Sequence, residues 1–304
     1  MELLYFLEKI RLPVLDSFML LITRLGEETA LLVIALVLFW CLDKKKGYYV
    51  LFVGFFGLIA NQFLKLLCRI PRPWVLDPEF SIVEAAREAA TGYSFPSGHS
   101  QSAVGVFGCL AASVKNRYIR WAAIAIAVLV PFSRMYLGVH TPADVLVGAG
   151  MALILVLVMR QPVLMGRDKT MQILLAVLMT LSIAFLNYVE LSVFPEDMDA
   201  HNLQSGIKNA YTVTGCMAGL YTVYYIDKKY LQFPTDAVWW AQILKCLLGF
   251  GLVLLVKEGT RAPLEAVFAG HMAARAVRYC LMVLVAGCIW PMTFRWFGKL
   301  GARK

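Results

Sequence analysis

Three clusters of residues in this sequence have the types and spacing to handle an anion. The first is Lys65 and Arg72, seven positions apart, with Arg72 followed by Pro73. At that spacing they share a face while a helix lasts, and Pro71 and Pro73 end the helix there. Arg offers a planar fork to phosphate oxygens and Lys a compact point charge; alone, the pair also fits positive anchoring of a helix end. The second cluster is Pro96-Ser97-Gly98-His99-Ser100. A helix N-terminus presents free N–H groups and a positive dipole end. Gly98 admits close backbone approach, and His99 can give and take protons around neutrality. A Ser97 helix cap beside an incidental histidine is the plainer reading of that stretch. The third cluster is Ser133-Arg134, His140 and Asp144. Four apart on a helix, His140 and Asp144 face each other, and the carboxylate can fix the imidazole tautomer. The other ring nitrogen is then free as a nucleophile, and Arg134 adds a third cation. An acid at the mouth of an apolar segment is costly without a partner, which favours a working role for Asp144.

Composition says what must position these groups. Of 304 residues, 60% are hydrophobic and 16% charged, against roughly 45–50% and about 25% in soluble domains. That excludes a soluble enzyme, a disordered chain and a disulfide-rich secreted module. It predicts an all-α, polytopic membrane bundle of about nine transmembrane helices. The expected spans are Leu25–Leu42, Tyr48–Leu67, Ser100–Val114, Tyr118–Gly138, Pro142–Met159, Met171–Tyr188, Asn209–Ile226, Ala237–Val256 and Phe268–Trp290. The stretch Leu12–Leu25, with Pro13 and Asp16, reads as an interfacial or re-entrant helix before them. Met1–Ile10 lacks the basic-then-apolar pattern of a cleavable signal. The seven cysteines are scattered, with no CxxC or Cys/His metal spacing.

Loop charge orients the map. With 43–47 inside, every inside loop is basic, from Lys44, Lys45 and Lys46 through Arg167, Lys169, Lys228 and Lys229 to Arg295, Lys299, Arg303 and Lys304. The acids inside are Asp43, Asp168, Asp227 and Asp236, out of 20 in the chain. The N-terminus is therefore expected outside and the C-terminus in the cytoplasm. The net charge of +9 follows from this bias and points to no nucleic-acid partner. All three clusters fall on the outer side.

Other features have a reading too. In Cys68–His99, the stretch Phe80–Ala90 has the pattern of a short amphipathic helix lying over the membrane face. Ser100–Val114 is short for a span, so His99 is expected to be recessed towards the acyl boundary, a depth that suits a phosphate carried on a lipid. His271, Arg275 and Arg278 form one stripe in the last span, either a second anion-binding surface or snorkelling and ion-paired cations. The core is expected over 1–165, with a four-helix extension over 166–304 in the same membrane domain.

Together the clusters strongly resemble the type 2 phosphatidic-acid phosphatase superfamily, whose signature is K-x6-RP, PSGH and SR-x5-H-x3-D. Every position matches, from Lys65 through Arg72-Pro73 and Pro96-Ser97-Gly98-His99 to Ser133-Arg134, His140 and Asp144. The resemblance implies that His140 attacks phosphorus and forms a phospho-histidine, with Asp144 orienting it. It implies that His99 protonates the leaving oxygen and then activates water. Lys65, Arg72, Ser97, the Gly98 N–H and Arg134 would hold the phosphoryl oxygens. No metal or other cofactor is implied, since the cations stand where Mg²⁺ would. The expected substrate is a lipid phosphate or diphosphate at the extracytoplasmic face, with membrane lipid as partner. Short loops suggest a bacterial cytoplasmic membrane. Transfer to an acceptor other than water, hydrolysis of a sugar phosphate, and a non-enzymatic lipid or anion carrier are the alternatives.

Overall fold

The computed structural model describes residues 1–196 and 198–300; Arg303 and Lys304, counted above among the inside cations, lie outside them. Among the described residues the regular elements are all helical and no strand forms. They run α1 (Glu2–Lys9), α2 (Pro13–Arg24), α3 (Glu28–Val37, continued by a π turn over Leu38–Leu42), α4 (Lys44–Cys68), a short α5 (Pro73–Leu76), α6 (Gly98–Ser113), α7 (Arg117–Tyr136) and α8 (Pro142–Met165). Then come α9 (Asp168–Leu191), α10 (Ala200–Ile226), α11 (Trp239–Gly259), α12 (Arg261–Val267), α13 (Ala273–Leu284) and α14 (Phe294–Phe297).

The expected nine spans are not confirmed. Among the described residues, six helical stretches are long and apolar enough to cross a membrane, or seven if α2 and α3, bent by 51°, make one crossing. Two expected spans fall short for different reasons. Helix α6 has only 16 residues, and its buried face carries Ser100, Gln101 and Ser102. Helix α10 has 27 residues but holds Asn, Lys, Thr, Gly and Tyr where a lipid-facing helix holds Leu and Val. A Cβ on its Gly215 would lie 2.0 Å from the Ala276 carbonyl oxygen of α13. Small residues permit such backbone approach between membrane helices. Both helices are thus specified by contact with protein, which hydropathy does not measure.

The chain divides into two compact units. The first holds residues 1–35, 48–165 and 194–206. Its centre is α6, packed on α7 and α8, while α2 packs on α7. Tyr49 of α4 donates to the Val156 carbonyl of α8. The N-terminal helices are stitched to this core. Tyr5 donates to Asp77 (2.6 Å), Arg11 to the Tyr136 carbonyl (3.0 Å), and Tyr136 to Asp16 (2.8 Å). Val14, Phe18 and Leu21 on α2 stay exposed, as an interfacial face requires.

The expected amphipathic helix over Phe80–Ala90 is also corrected to a single 3₁₀ turn, Glu84–Ala86. Phe80, Ile82 and Ala86 turn inward, while Ala85 and Ala89 stay exposed. Ala86 packs with Met19, Tyr136, Leu137 and Val139, and the Val83 N–H donates to the Leu137 carbonyl (3.1 Å). The segment therefore covers the turn that leads to His140.

The second unit holds, of the described residues, 36–47, 166–193 and 207–300. Trp40 is fully buried there and donates to the Ala286 carbonyl (2.8 Å). Lys44 pairs with Asp227 at 2.8 Å and lies over the Phe233 ring.

Candidate active site

Local sequence rules place each side chain of the three clusters. Helix α4 stops at Cys68, and Arg69 takes a left-handed backbone, φ 51°, before the two prolines. Lys65 therefore sits on the last helical turn, while Arg72 lies beyond it as the N-cap of α5. Helix α7 ends at Tyr136, and Gly138 turns the chain at φ 81°, a conformation that favours glycine. His140 follows in the short connection between that turn and α8.

Helix α8 opens with Thr141-Pro142-Ala143-Asp144. The Thr141 N–H donates to Asp144 Oδ2 (2.7 Å), and the Asp144 N–H donates to Thr141 Oγ1 (3.3 Å). This reciprocal pair is a capping box with Asp in the acid position. Ser97 caps α6, accepting from the Ser100 N–H and hydroxyl, and its own N–H donates to the Asp144 carbonyl (2.9 Å). A Cβ at Gly148 of α8 would stand 2.5 Å from the Ser97 carbonyl oxygen, so the motif loop rests directly on α8. At Gly98 a Cβ would meet only Asn61 Oδ1, at 3.7 Å. The protein itself leaves room there.

These elements bring the clusters together in the first unit. Lys65, Arg72, Arg134, His140 and Asp144 are all buried. Arg72 donates from Nε to the Gly92 carbonyl (3.1 Å), from Nη2 to that of Thr91 (2.8 Å) and from Nη1 to that of Val139 (3.0 Å). The same Nη1 lies 2.8 Å from His140 Nε2. Lys65 donates to the Tyr93 carbonyl. Arg134 donates from Nη1 to Thr23 Oγ1 (2.8 Å), while its Nε and Nη2 are buried with no partner among the described residues. His99 Nε2 is likewise buried and unpartnered.

His140 Nδ1 lies 3.4 Å from both Asp144 Oδ2 and Ser94 Oγ. Guanidinium only donates, so His140 Nε2 accepts from Arg72 and the ring proton sits on Nδ1. Burial, then the Arg72, Arg134 and Lys65 charges and His99, hold the His140 pKa well below its ordinary 6.5. The imidazole is therefore neutral at pH 7, with its lone pair on Nε2, the nitrogen that accepts from Arg72.

Asp144 is the one acid of the three clusters, set against three buried cations. A buried surplus of positive charge is costly unless an anion joins it, and the bare Arg134 Nε–Nη2 edge has the geometry for two oxygens of one phosphoryl group. Among the described residues no group of three His, Cys, Asp or Glu is placed to hold a metal. A cavity of about 820 Å³ opens beside Arg72, walled by Pro71, Trp74, Val75, Pro195 and Met198 with Arg69 and Asn202.

Two supporting residues carry no signal in the motif spacing. Ser94 is fully buried and donates to Asp144 Oδ2 at 2.6 Å. Thr23 comes from α2, more than a hundred residues from Arg134. His271, Arg275 and Arg278 lie in the second unit, His271 just before α13 and the two arginines on it. Arg275 donates to Thr212 (2.6 Å) and both arginines lie by the Tyr279 ring. Glu265 accepts from Arg261 (3.3 Å).

Comparison with known proteins places this geometry. Residues 46–168 match the model of the PAP2 superfamily, and residues 211–303 match that of the PAP2 superfamily phosphatase transmembrane extension. The chain is 33% identical over 144 residues to the undecaprenyl-diphosphatase BcrC of Bacillus subtilis, covering 47% of this chain and 72% of the relative. It is 33% identical over 161 residues to phosphatidylglycerophosphatase B of the same organism, covering 48% and 74%. An undecaprenyl-diphosphatase of Sulfolobus acidocaldarius is 29% identical over 141 residues, covering 45% and 66%. No solved structure matches the chain. The three motifs, their convergence on one buried cluster and both matched regions make this chain a membrane phosphatase that belongs to the PAP2 superfamily.

Proposed function

We propose that the protein hydrolyses a lipid phosphate or lipid diphosphate at the extracytoplasmic membrane face through a phospho-histidine on His140. The observation that carries this reading is the His140 side chain itself. Its Nε2 lone pair accepts from Arg72, the charges of Arg134 and Lys65 act on the ring, and its Nδ1–H faces Asp144 and Ser94.

In the first step Nε2 attacks phosphorus, a P–N bond forms and the P–O bond to the lipid breaks. His99 gives its proton to the departing oxygen. Asp144 stabilises the positive charge that develops on the imidazole. In the second step His99 takes a proton from water, the water oxygen attacks phosphorus, the P–N bond breaks and phosphate leaves. Lys65, Arg72, Arg134, Ser97 and the Gly98 N–H at the start of α6 hold the phosphoryl oxygens, stabilising charge as it spreads in the transition state.

The lipid class is supported by the apolar wall of the cavity beside Arg72 and by the names of the relatives. A phosphate-release assay in detergent, comparing undecaprenyl diphosphate, phosphatidylglycerol phosphate and glucose 6-phosphate, tests the reading. Release from a lipid substrate, abolished in His140→Ala with the fold retained, is expected. Release from glucose 6-phosphate alone would reject the lipid class.

A further inference from the structure

The matched superfamily region starts at residue 46, yet a residue well before it touches the phosphate-binding cluster. Thr23, on the last turn of α2, is 5% exposed, and its Oγ1 accepts from Arg134 Nη1 at 2.8 Å. It is the only partner that the fully buried Arg134 guanidinium has among the described residues; Nε and Nη2 have none. A guanidinium has two forks, an end-on one from Nη1 and Nη2 and a side-on one from Nε and Nη2. Thr23 occupies Nη1, so the side-on fork is the one left for two oxygens of a phosphoryl group.

A second contact lies one turn on. A Cβ at Gly26 would stand 3.0 Å from the His99 carbonyl oxygen and 3.2 Å from the His99 Cβ. The α2–α3 bend is therefore packed directly on the motif that opens α6. Helix α2 is also tied to the helix that carries Arg134, since Tyr136 donates to Asp16 (2.8 Å).

We infer that the N-terminal helix α2 is part of the catalytic site, with Thr23 as a positioning residue that turns the Nε–Nη2 edge of Arg134 towards the transferred phosphoryl group. This rests on the reading of Arg134 as a phosphoryl-oxygen ligand. Without the hydroxyl, Nη1 is an orphaned buried donor, and the guanidinium can rotate to satisfy it at the expense of the fork.

The test uses the full-length protein in detergent and two readouts: steady-state kinetics on the lipid substrate and competitive inhibition by inorganic phosphate. Thr23→Val keeps the shape and removes the acceptor; Thr23→Ser keeps the acceptor. Thr23→Val should weaken phosphate inhibition and raise KM by about 10-fold, the effect of one lost charge-assisted hydrogen bond. Thr23→Ser should stay within about 3-fold of wild type. In an Arg134→Gln background, Thr23→Val should add no further loss, because residues acting as a unit are non-additive. Wild-type phosphate inhibition in Thr23→Val, or an equal loss in the Arg134→Gln background, overturns the inference. If Arg134→Gln itself leaves phosphate inhibition unchanged, it is the assignment of Arg134 that fails. Thr23→Ala serves if the valine variant does not fold. Should both be unfolded while Thr23→Ser is folded, the hydroxyl serves folding rather than anion capture and the inference falls.

Discussion

At the scale of single residues, His140 is set up by its surroundings more than by its own chemistry. Burial and the neighbouring cations depress its pKa, so the imidazole, the proposed nucleophile, stays neutral below the ordinary histidine value. The acid limb of kcat/KM should therefore lie below about pH 6.5. Arg72→Gln removes one of those cations and should move the limb upward towards 6.5 as well as lowering the rate. A limb already at or above 6.5 in wild type would contradict the site electrostatics. Ser94 is the second case. Its hydroxyl holds Asp144 Oδ2 at 2.6 Å, so Ser94→Ala should lower kcat roughly 10-fold, the effect of about 1.5 kcal/mol for a hydrogen bond to a charged group, with the melting temperature little changed. The motif residues were legible because their types and order are a chemical statement. Ser94 and Thr23 were not, since serine and threonine are common and only the fold shows which of them reach Asp144 and Arg134.

At the scale of elements, the site depends on where helices stop. The Thr141–Asp144 capping box starts α8 and orients the carboxylate with the same hydrogen bond. Gly148 lets the Ser97 loop rest on α8, at a distance that no Cβ fits. Gly148→Ala should therefore cost roughly 1–3 kcal/mol of stability and lower kcat together, read by thermal unfolding and phosphate release on one preparation. An unchanged melt and rate would show that the loop is not held there. The prolines at 71, 73 and 142 announced these helix ends in the sequence. The count of spans was less legible. Apolar runs locate helices that face lipid, whereas α6 and α10 carry Ser, Gln, Thr and Gly because their neighbours are other helices. The Phe80–Ala90 stretch shows the same limit, since a helical apolar pattern is also satisfied by a turn whose Ile82 and Ala86 are buried.

At the scale of the whole molecule, the extracytoplasmic face proposed for the site follows from loop charge and motif position. A single cysteine at Glu79, on the proposed outer side, should react with an impermeant maleimide added to intact cells after the seven native cysteines are replaced. One at Lys229 should react only after the membrane is opened. The reverse pattern would put the site in the cytoplasm.

The claim on which the rest depends is the covalent intermediate on His140. Rapid acid-free denaturation during turnover of substrate labelled at the terminal phosphate, followed by peptide mass spectrometry, tests it most directly. An acid-labile, alkali-stable phosphoryl group is expected on the peptide that carries His140, absent in His140→Ala. A phosphoryl group on another residue, or undiminished turnover by His140→Ala, would contradict it.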